Sequence, residues 1–391
     1  MDWKSEKPLV TVAVLVYKNA QYLCDCLSSI FEQNYDNIQL IISDDGSPDF
    51  SCAQVEEFIR SSNAANIESY FVHTMENNGG TSKNFNYVLS YAKGTYIKYI
   101  AADDLFFDEN ALGYLVTTAE ENHGNVVIAR APNYDMYLNQ HEWTYPSDKD
   151  WEMMKAGAKD PRYFFGIMSQ YCLISAPATL FRTEFLREHG GADEHYPLIE
   201  DWPLWMKMLR SGEMFTFLDR PVVIYRSGGI SNGTANEKFA IHQIEYADVI
   251  RYECLPYPEA MANRAQYKRA VYSERSHRSR GELLLANSFW TKARVICRYP
   301  DVFLRILLEK CYPLFWKGQK NKRELLLFSI ITFTLLSITD ISNLLWGCTW
   351  IENLLRTTGL ALSSIAFIAS ILFYLLLLPI RFGKVLHGRA K

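Results

Sequence analysis

Two adjacent carboxylates follow an apolar stretch of the chain. Residues 96–102 form a β-rich run typical of a buried strand, and Asp103 and Asp104 come directly after it. Two unit charges ~4 Å apart repel by roughly 4 kcal/mol at an effective dielectric of ~20, so a positive partner is expected beside the pair. Carboxylate oxygens are preferred ligands of Mg²⁺ and Mn²⁺, which commonly bridge to substrate phosphates. The pair therefore indicates a site for Mg²⁺ or Mn²⁺.

A second acidic pair, Glu200 and Asp201, precedes a helical apolar stretch that contains Trp202 and Trp205. One interpretation is that Asp201 caps the amino terminus of this helix. The other is that a carboxylate held near indole rings has a raised pKa and acts as a general base. The sequence around the pair leaves both interpretations open.

Two further stretches have residue types that suit a ligand. "IISDDGSPD" (41–49) places Asp44 and Asp45 before a turn, and this composition is also ordinary turn chemistry. "NNGGTSKNFN" (77–86) is a glycine-rich entry into a helix that carries Lys83. Its backbone N–H groups suit a phosphate, although a loop cap explains the glycines nearly as well.

The elements that must position these residues alternate along the chain. Patterning predicts strands over 9–16, 37–43, 67–73 and 96–102, with helices over 20–33, 51–62 and 81–93 between them. This alternation is typical of βαβ units and a parallel sheet, in which ligands bind at the carboxyl ends of the strands. Both aspartate pairs follow such ends, which predicts a shared site.

The charge of the chain is unevenly distributed. Residues 1–260 hold 20 Lys and Arg against 37 Asp and Glu, a net charge of −17, whereas residues 261–391 hold 20 against 7, a net charge of +13. The two parts should therefore meet different partners, and we expect no nucleic acid among them. The eight cysteines show no zinc-ligand spacing, and the amino-terminal stretch has no secretory signal. Reduced thiols and a cytoplasmic catalytic domain are expected.

The composition changes after residue 250. Residues 251–322 are basic and read as amphipathic helices, which would either lie in a membrane interface or pack on the preceding domain. Two apolar stretches, 325–346 and 358–380, have basic flanks, so the positive-inside rule predicts a transmembrane helical hairpin over 323–391. The predicted division is a catalytic domain over 1–250, a basic interfacial region over 251–322 and the hairpin.

The order of these motifs, from "VAVLVYKN" through "IISDDGSPD", "AADD" and "IEDWPLWMKM" to "YRSGGIS", resembles the inverting glycosyltransferases of family 2 over about residues 8–231. The resemblance implies an α/β domain of the GT-A type, with a Rossmann-like mixed sheet and a nucleotide-sugar donor bound over the strand ends. Together with the carboxyl-terminal patterns, the predicted fold class is this domain followed by basic amphipathic helices and the transmembrane hairpin.

Individual roles follow from the resemblance. Asp104 is implied as the metal ligand, with Asp103 as a metal or ribose contact. Asp201 is implied as the catalytic base with Glu200 in support. The implied contacts to the donor nucleotide are Tyr17, Asp44, Asp45, Lys83, Asp103 and Arg226.

The function predicted from these parts is transfer of one sugar from a nucleotide-sugar to a saccharide or polyprenyl-diphosphate-linked acceptor. The protein would work at the cytoplasmic face of the inner membrane, in contact with lipid. Two alternatives are a processive polysaccharide synthase that exports its product and a catalytically silent binding module. The chain lacks a Gln-x-x-Arg-Trp motif, which disfavours the first, and it retains both acidic pairs, which disfavours the second.

Overall fold

The computed structural model describes residues 7–227, 237–303 and 306. The chain divides into two compact units, residues 1–302 and 303–391, and the elements named below all belong to the first. The predicted hairpin over 323–391 lies outside the described residues, as do residues 228–231 of the "YRSGGIS" stretch.

The predicted fold class requires one correction. None of the helices that the structure describes is long and apolar enough to cross a lipid bilayer, so the transmembrane hairpin in the predicted fold class is not supported. The α/β part of the prediction is confirmed, because strands and helices alternate through the first hundred residues as expected. The predicted domain boundaries at residues 250 and 322 stay predictions.

A mixed sheet forms the centre of the first unit. Its strands are β1 (Val10–Val16), β2 (Ile38–Asp44), β3 (Ile67–Thr74), β4 (Tyr96–Ala101), β5 (Leu105–Phe106), β6 (Val126–Tyr134), β7 (Gln140–Tyr145), β8 (Thr179–Arg182), β9 (Thr216–Pro221) and β10 (Val223–Arg226). Their spatial order is β3-β2-β1-β4-β8-β6-β10-β5, with β7 and β9 also paired to β6. Strands β1 to β4 are parallel neighbours, whereas β8 is antiparallel to both β4 and β6.

The register of the parallel strands brings their carboxyl ends to one edge. Val16 of β1 lies beside Asp44 of β2, and Leu15 lies beside Ala101 of β4. Asp44 is in turn opposite Thr74 of β3. The loops that follow these four strands therefore meet at the same edge of the sheet, as the sequence predicted.

Helices cover both faces of the sheet. They are α1 (Leu23–Phe31), α2 (Cys52–Ser61), α3 (Thr81–Tyr91), α4 (Ala111–Glu121), α5 (Asp148–Gly157), α6 (Pro161–Met168), α7 (Thr183–Glu188), α8 (Trp202–Arg210), α9 (Glu237–Val249), α10 (Arg264–Leu285) and α11 (Phe289–Arg298). Side chains alternate along β1, so that Val12 and Val14 enter one buried cluster while Ala13 enters the other. The second cluster is rich in aromatic residues, and Trp151, Trp202 and Trp205 are fully buried in it.

Helix α10 packs along α9. A Cβ at Gly281 of α10 would lie 2.7 Å from the carbonyl oxygen of Ala240, so the close approach of the two helices requires glycine there. Arg278 pairs with Asp248 of α9 at 2.5 Å, and the side chains of His277 and Gln243 are hydrogen bonded at 2.9 Å. Much of the polar surface of α10 that faces α9 is therefore paired within the protein.

Candidate active site

The loop after β2 is organised by Asp44. Its Oδ2 accepts hydrogen bonds from the backbone N–H of Ser47 at 2.8 Å and from the hydroxyl of Thr74 at 2.7 Å. The hydroxyl of Ser47 in turn accepts the backbone N–H of Lys18, which has a φ of 56°. Asp44 is buried, and its contacts fix the shape of the turn between two strand ends.

Asp45 binds the glycine-rich loop. Its two carboxylate oxygens accept the backbone N–H groups of Gly79 at 2.7 Å and Gly80 at 2.9 Å, and Asn78 donates its side-chain amide at 2.9 Å. Burial raises the pKa of Asp45, whereas these two backbone donors and the charge of Lys83 act to lower it. Lys83 itself is exposed, and its stem lies close over Gly79.

Asp103 follows the carboxyl end of β4, at the same edge of the sheet. Asn19, in the loop after β1, donates its side-chain amide to Oδ1 of Asp103 at 3.0 Å and accepts the backbone N–H of Tyr17 at 3.0 Å. Burial raises the pKa of Asp103, while the Asn19 hydrogen bond and the charge of Arg226 oppose the shift. Asp103 is half-buried as a residue.

Asp104 lies behind Asp103 and is 2% exposed. Its Oδ1 accepts the backbone N–H of Arg226 at 2.9 Å. Burial raises the pKa of Asp104 well above its ordinary value, and Asp103 adds to the shift, whereas Lys98 and Arg226 oppose it. The positive charge that we expect beside the acidic pair is therefore supplied in part by Lys98 and Arg226.

Lys98 is one of these two cations and is fully buried in β4. Its Nζ donates to the carbonyl oxygen of Tyr99 at 2.7 Å and to that of Pro177. Burial lowers the pKa of Lys98 to about 7, and the charge of Asp104 opposes this shift. Sequence analysis missed Lys98, although a single lysine inside an apolar strand that ends in two aspartates is a recognisable signal.

Arg226 is the other cation and its side chain is 1% exposed. Its guanidinium lies 4.7 Å from the ring centre of Tyr22 and pairs with Asp25 at 3.2 Å. Nε and Nη1 of Arg226 have no hydrogen-bond partner among the described residues. The side chain thus lies between the first turn of α1 and the Asp103–Asp104 pair, where its charge opposes the raised pKa of both carboxyls.

The two carboxylates of this pair differ in how well each could bind a divalent cation. Asp103 is partly exposed and can offer an oxygen to an ion, whereas Asp104 is buried and surrounded by an N–H donor and two cations. No cluster of three or more metal-ligating side chains exists in residues 7–227 and 237–303. The residues therefore fit an ion bound at Asp103, with Asp104 behind it and other ligands from a bound phosphate.

Glu200 and Asp201 lie at the amino terminus of α8. Oδ1 of Asp201 accepts the backbone N–H of Trp202 at 2.6 Å, so the capping interpretation holds, and Oδ2 lies 3.9 Å from the Cys172 sulfur. Burial is the main cause of the raised pKa of both carboxyls, and Asp201 adds to the shift of Glu200. Neither forms an ion pair with a Lys or Arg in the described part of the chain.

Neutral polar groups surround Asp201. Tyr145 donates its hydroxyl to the backbone oxygen of Cys172 at 2.7 Å, and burial raises the pKa of Tyr145 and Tyr246, with Asp201 adding to both shifts. The pKa of the Cys172 thiol is also raised by burial and by Asp201. These neighbours come from distant parts of the chain, and no motif around them revealed the arrangement.

The loop that carries Glu200 is held against the glycine-rich loop. Gly80 has a φ of 90°, and a Cβ there would lie 2.7 Å from the carbonyl oxygen of Pro197. Ser82 donates its hydroxyl to the carbonyl oxygen of Tyr196 at 2.5 Å. The position of the acidic loop is therefore set by the glycine-rich stretch, which also binds Asp45.

A cleft of about 920 Å³ joins these groups. The predicted site residues in its lining are Tyr17, Asp45, Asp103, Asp104, Glu200 and Asp201. Asp44, Lys83 and Arg226 are not among the described lining residues, and their contacts are those given above. Helix α9 contributes one wall, which sequence analysis did not foresee.

The chain is similar in sequence to known glycosyltransferases. Residues 11–190 match the family described as glycosyl transferase family 2. The chain is 35% identical over 127 residues to the glycosyltransferase GlyG of Streptococcus pneumoniae serotype 4, a match that covers 32% of this chain and 40% of GlyG. It is 33% identical over 137 residues to the minor teichoic acid biosynthesis protein GgaB of Bacillus subtilis, covering 34% of this chain and 14% of GgaB.

Among solved structures, TarS 1–349 of S. aureus in complex with UDP has a TM-score of 0.47 and 17% sequence identity, over 78% of this chain and 91% of the TarS 1–349 chain. The chain spans less than half the length of GlyG and of GgaB. The family match confirms the resemblance read from the motifs over residues 11–190. Residues 11–190, just under half of the chain, are thus similar to glycosyl transferase family 2 domains.

Proposed function

We propose that the protein transfers one sugar from a nucleotide-sugar donor to a hydroxyl group of a saccharide acceptor, with inversion at the anomeric carbon. The family 2 match and the similarity to named glycosyltransferases support the reaction class. The observation that carries the proposal is the position of Asp201, which shares one cleft with Asp45 and Asp103 at the strand ends.

The donor would occupy the strand-end side of the cleft. Tyr17, Asp45 and Asp103 line that side and offer the ring and carboxylate groups that a nucleoside can contact. Asp103 and Asp104 would hold Mg²⁺ or Mn²⁺, which when bound offsets the charge of a nucleoside diphosphate. The cations Lys98 and Arg226 stabilise this acidic pair from behind.

Asp201 would act as the base. Its Oδ1 is held by the N–H of Trp202, and Oδ2, which has a long contact with the Cys172 thiol at 3.9 Å, would accept the proton of the acceptor hydroxyl. As the acceptor oxygen bonds to the anomeric carbon, the bond from that carbon to the diphosphate breaks and its electron pair leaves with the nucleoside diphosphate. A raised pKa matches a base that works near neutral pH. One displacement needs no carboxylate nucleophile.

The class of acceptor and the location of the protein in the cell are further parts of the proposal. The name of GgaB concerns teichoic acid biosynthesis, which supports a cell-surface polymer as the destination of the sugar. We retain a saccharide or polyprenyl-diphosphate-linked acceptor as part of the proposal. The location at the cytoplasmic membrane stays a prediction from the sequence, which fractionation of expressing cells would check.

A thermal-shift screen tests the proposal. A ligand that binds only the folded state raises its apparent stability, by about 2.7 kcal/mol at one hundred times its Kd. We expect one class of nucleoside diphosphate and its nucleotide-sugars to raise the melting temperature in the presence of Mn²⁺, and Asp45→Ala to abolish the shift. If no nucleotide stabilises the wild-type chain, the proposal is wrong.

A further inference from the structure

One face of α9 lines the cleft. Lys238, Ile241, His242, Glu245 and Tyr246 are spaced three and four residues apart, so they share one side of the helix, and all five are in the lining. The helix begins at Glu237, beyond residue 190, where the family match ends. This wall is therefore built by a part of the chain that the family match does not describe.

His242 has hydrogen-bonding capacity that the described residues leave unused. It is 5% exposed, and its Nδ1 has no hydrogen-bond partner among the described residues. Burial lowers the pKa of His242 to about 4, so the imidazole is neutral at pH 7 and offers one donor and one acceptor. A buried polar atom without a partner is unfavourable, and a ligand hydroxyl would satisfy it.

The rings beside His242 suit the body of a sugar. The ring centre of Tyr246 lies 4.4 Å from that of His242, and Tyr246 also packs edge-on against Trp202, the residue that follows Asp201. Ile241, one residue before His242, is 40% exposed. Apolar ring surface next to an unsatisfied polar atom is the combination that a carbohydrate ring with hydroxyl groups can match.

The charge at this end of the cleft selects against anions. Glu245 accepts the backbone N–H of Leu198 at 3.0 Å, and it adds to the raised pKa of Glu200. Three carboxyl groups, Glu200, Asp201 and Glu245, thus lie close together. The lysine of this face, Lys238, lies one turn away from His242 with its Nζ 4.8 Å from the ring centre of Tyr17. When Asp201 is ionised, as a base must be, a phosphate or carboxylate group would be repelled here, whereas a neutral hydroxyl group would not.

We propose that this face of α9 is the acceptor subsite and that it binds an uncharged sugar residue, with His242 hydrogen-bonded to a sugar hydroxyl and Tyr246 against the ring. The inference rests on the proposed function. His242 and Tyr246 are specificity-determining residues in this account, and Asp201 remains the base.

The test measures glycoside binding directly. The full chain is mixed with a panel of methyl glycosides in the presence of the nucleoside diphosphate that stabilises it, and binding is followed by saturation-transfer NMR. We expect at least one neutral methyl glycoside to bind, and His242→Phe to weaken it about tenfold, as loss of one hydrogen bond would. His242→Gln, which keeps donors and an acceptor, should recover much of the affinity.

Two controls separate binding from folding. His195→Phe changes an exposed histidine outside the cleft and should leave glycoside affinity unchanged. Ile241→Trp adds bulk at an exposed position of the same face, so it should weaken glycoside binding without loss of the folded state. Nucleoside diphosphate binding should persist in every variant.

The outcomes distinguish this inference from the proposed function. If the wild-type chain binds no nucleoside diphosphate, the proposed function fails. If it binds the nucleotide but no neutral glycoside, or if both His242→Phe and Ile241→Trp bind glycosides as well as wild type, only the acceptor subsite is overturned. Stronger binding of sugar phosphates than of methyl glycosides would also overturn it.

Discussion

The two acidic pairs of the cleft have the same residue chemistry but different surroundings. Burial raises the pKa of the carboxyls in both pairs. At Asp103–Asp104 the shift is opposed by two cations, Lys98 and Arg226, whereas at Asp201 it is opposed by neutral donors such as the N–H of Trp202. Cations beside a carboxyl favour its charged form and hence the binding of an ion, while a carboxyl without them is suited to exchange a proton.

The largest expected effect is on turnover, and it comes from Asp201, in the acidic pair that has no Lys or Arg beside it among the residues that the structure describes. Asp201→Asn keeps the side-chain shape and the cap of α8 but removes the base, so turnover should fall by about 10²- to 10⁴-fold. The affinity for the nucleoside diphosphate should change little, because that ligand would bind on the other side of the cleft.

Steady-state kinetics together with nucleotide titration checks this expectation. Asp193→Asn, at an exposed position eight residues earlier, is the matched control and should leave both quantities unchanged. Near-normal turnover of Asp201→Asn would show that the base lies elsewhere.

The second prediction removes a cation from the other pair. Lys98→Met leaves a buried carboxylate without one of its counter-charges, so the free energy of unfolding should fall by about 3 kcal/mol. Denaturant unfolding measures the loss, and Lys93→Met, at an exposed position, should show none.

The double variant Lys98→Met, Asp104→Asn sharpens this test. Neutralising Asp104 removes the charge that Lys98 compensates, so the double variant should be more stable than Lys98→Met alone. If the two effects simply add, the two residues are not coupled.

The third prediction separates the members of the Asp103–Asp104 pair. Because Asp103 is partly exposed and Asp104 is buried, Asp103→Asn should weaken the apparent affinity for Mn²⁺ about tenfold or more, and Asp104→Asn should weaken it less. Titration of Mn²⁺ against nucleotide-dependent stabilisation measures both. A greater loss in Asp104→Asn would restore the role that the motif resemblance gave to Asp104.

The smallest expected effect concerns the pH dependence. The base must be deprotonated, so kcat/KM should fall as the pH drops through the pKa of Asp201, which burial raises to about 6. Burial and the charge of Asp201 raise the pKa of Glu200 to about 8, so Glu200 is already neutral where Asp201 titrates, and Glu200→Gln should leave this limb of the pH profile in place. A shift of the limb to lower pH by about one unit would show that Glu200 is charged when Asp201 titrates.

The sequence predicted the parallel part of the sheet closely. The strand predicted over 67–73 is observed at Ile67–Thr74, and the helix predicted over 81–93 at Thr81–Tyr91, because local periodicity determines these elements. It also indicated Asp45, Asp103 and Asp201, since each follows a strand or begins a helix and all three line the cleft.

The rest of the site depends on contacts between distant residues. Lys98 becomes a counter-charge only because Asp104 folds back beside it, and Cys172 meets Asp201 across 29 residues of chain. His242 has no motif around it, and its place in the cleft results from the packing of α9. Periodicity reports which face of an element is buried but not which partner covers it.

Gly281 of α10 affects the position of α9, the helix that lines the cleft. Gly281 sets how closely α10 approaches α9, on the side of α9 where Ala240 and Ile244 lie. A larger residue there would meet α9 directly, at Ala240 and Ile244, and none of the strand ends. For protein engineering, α10 therefore offers positions from which the acceptor range could be altered without changing any residue that lines the cleft.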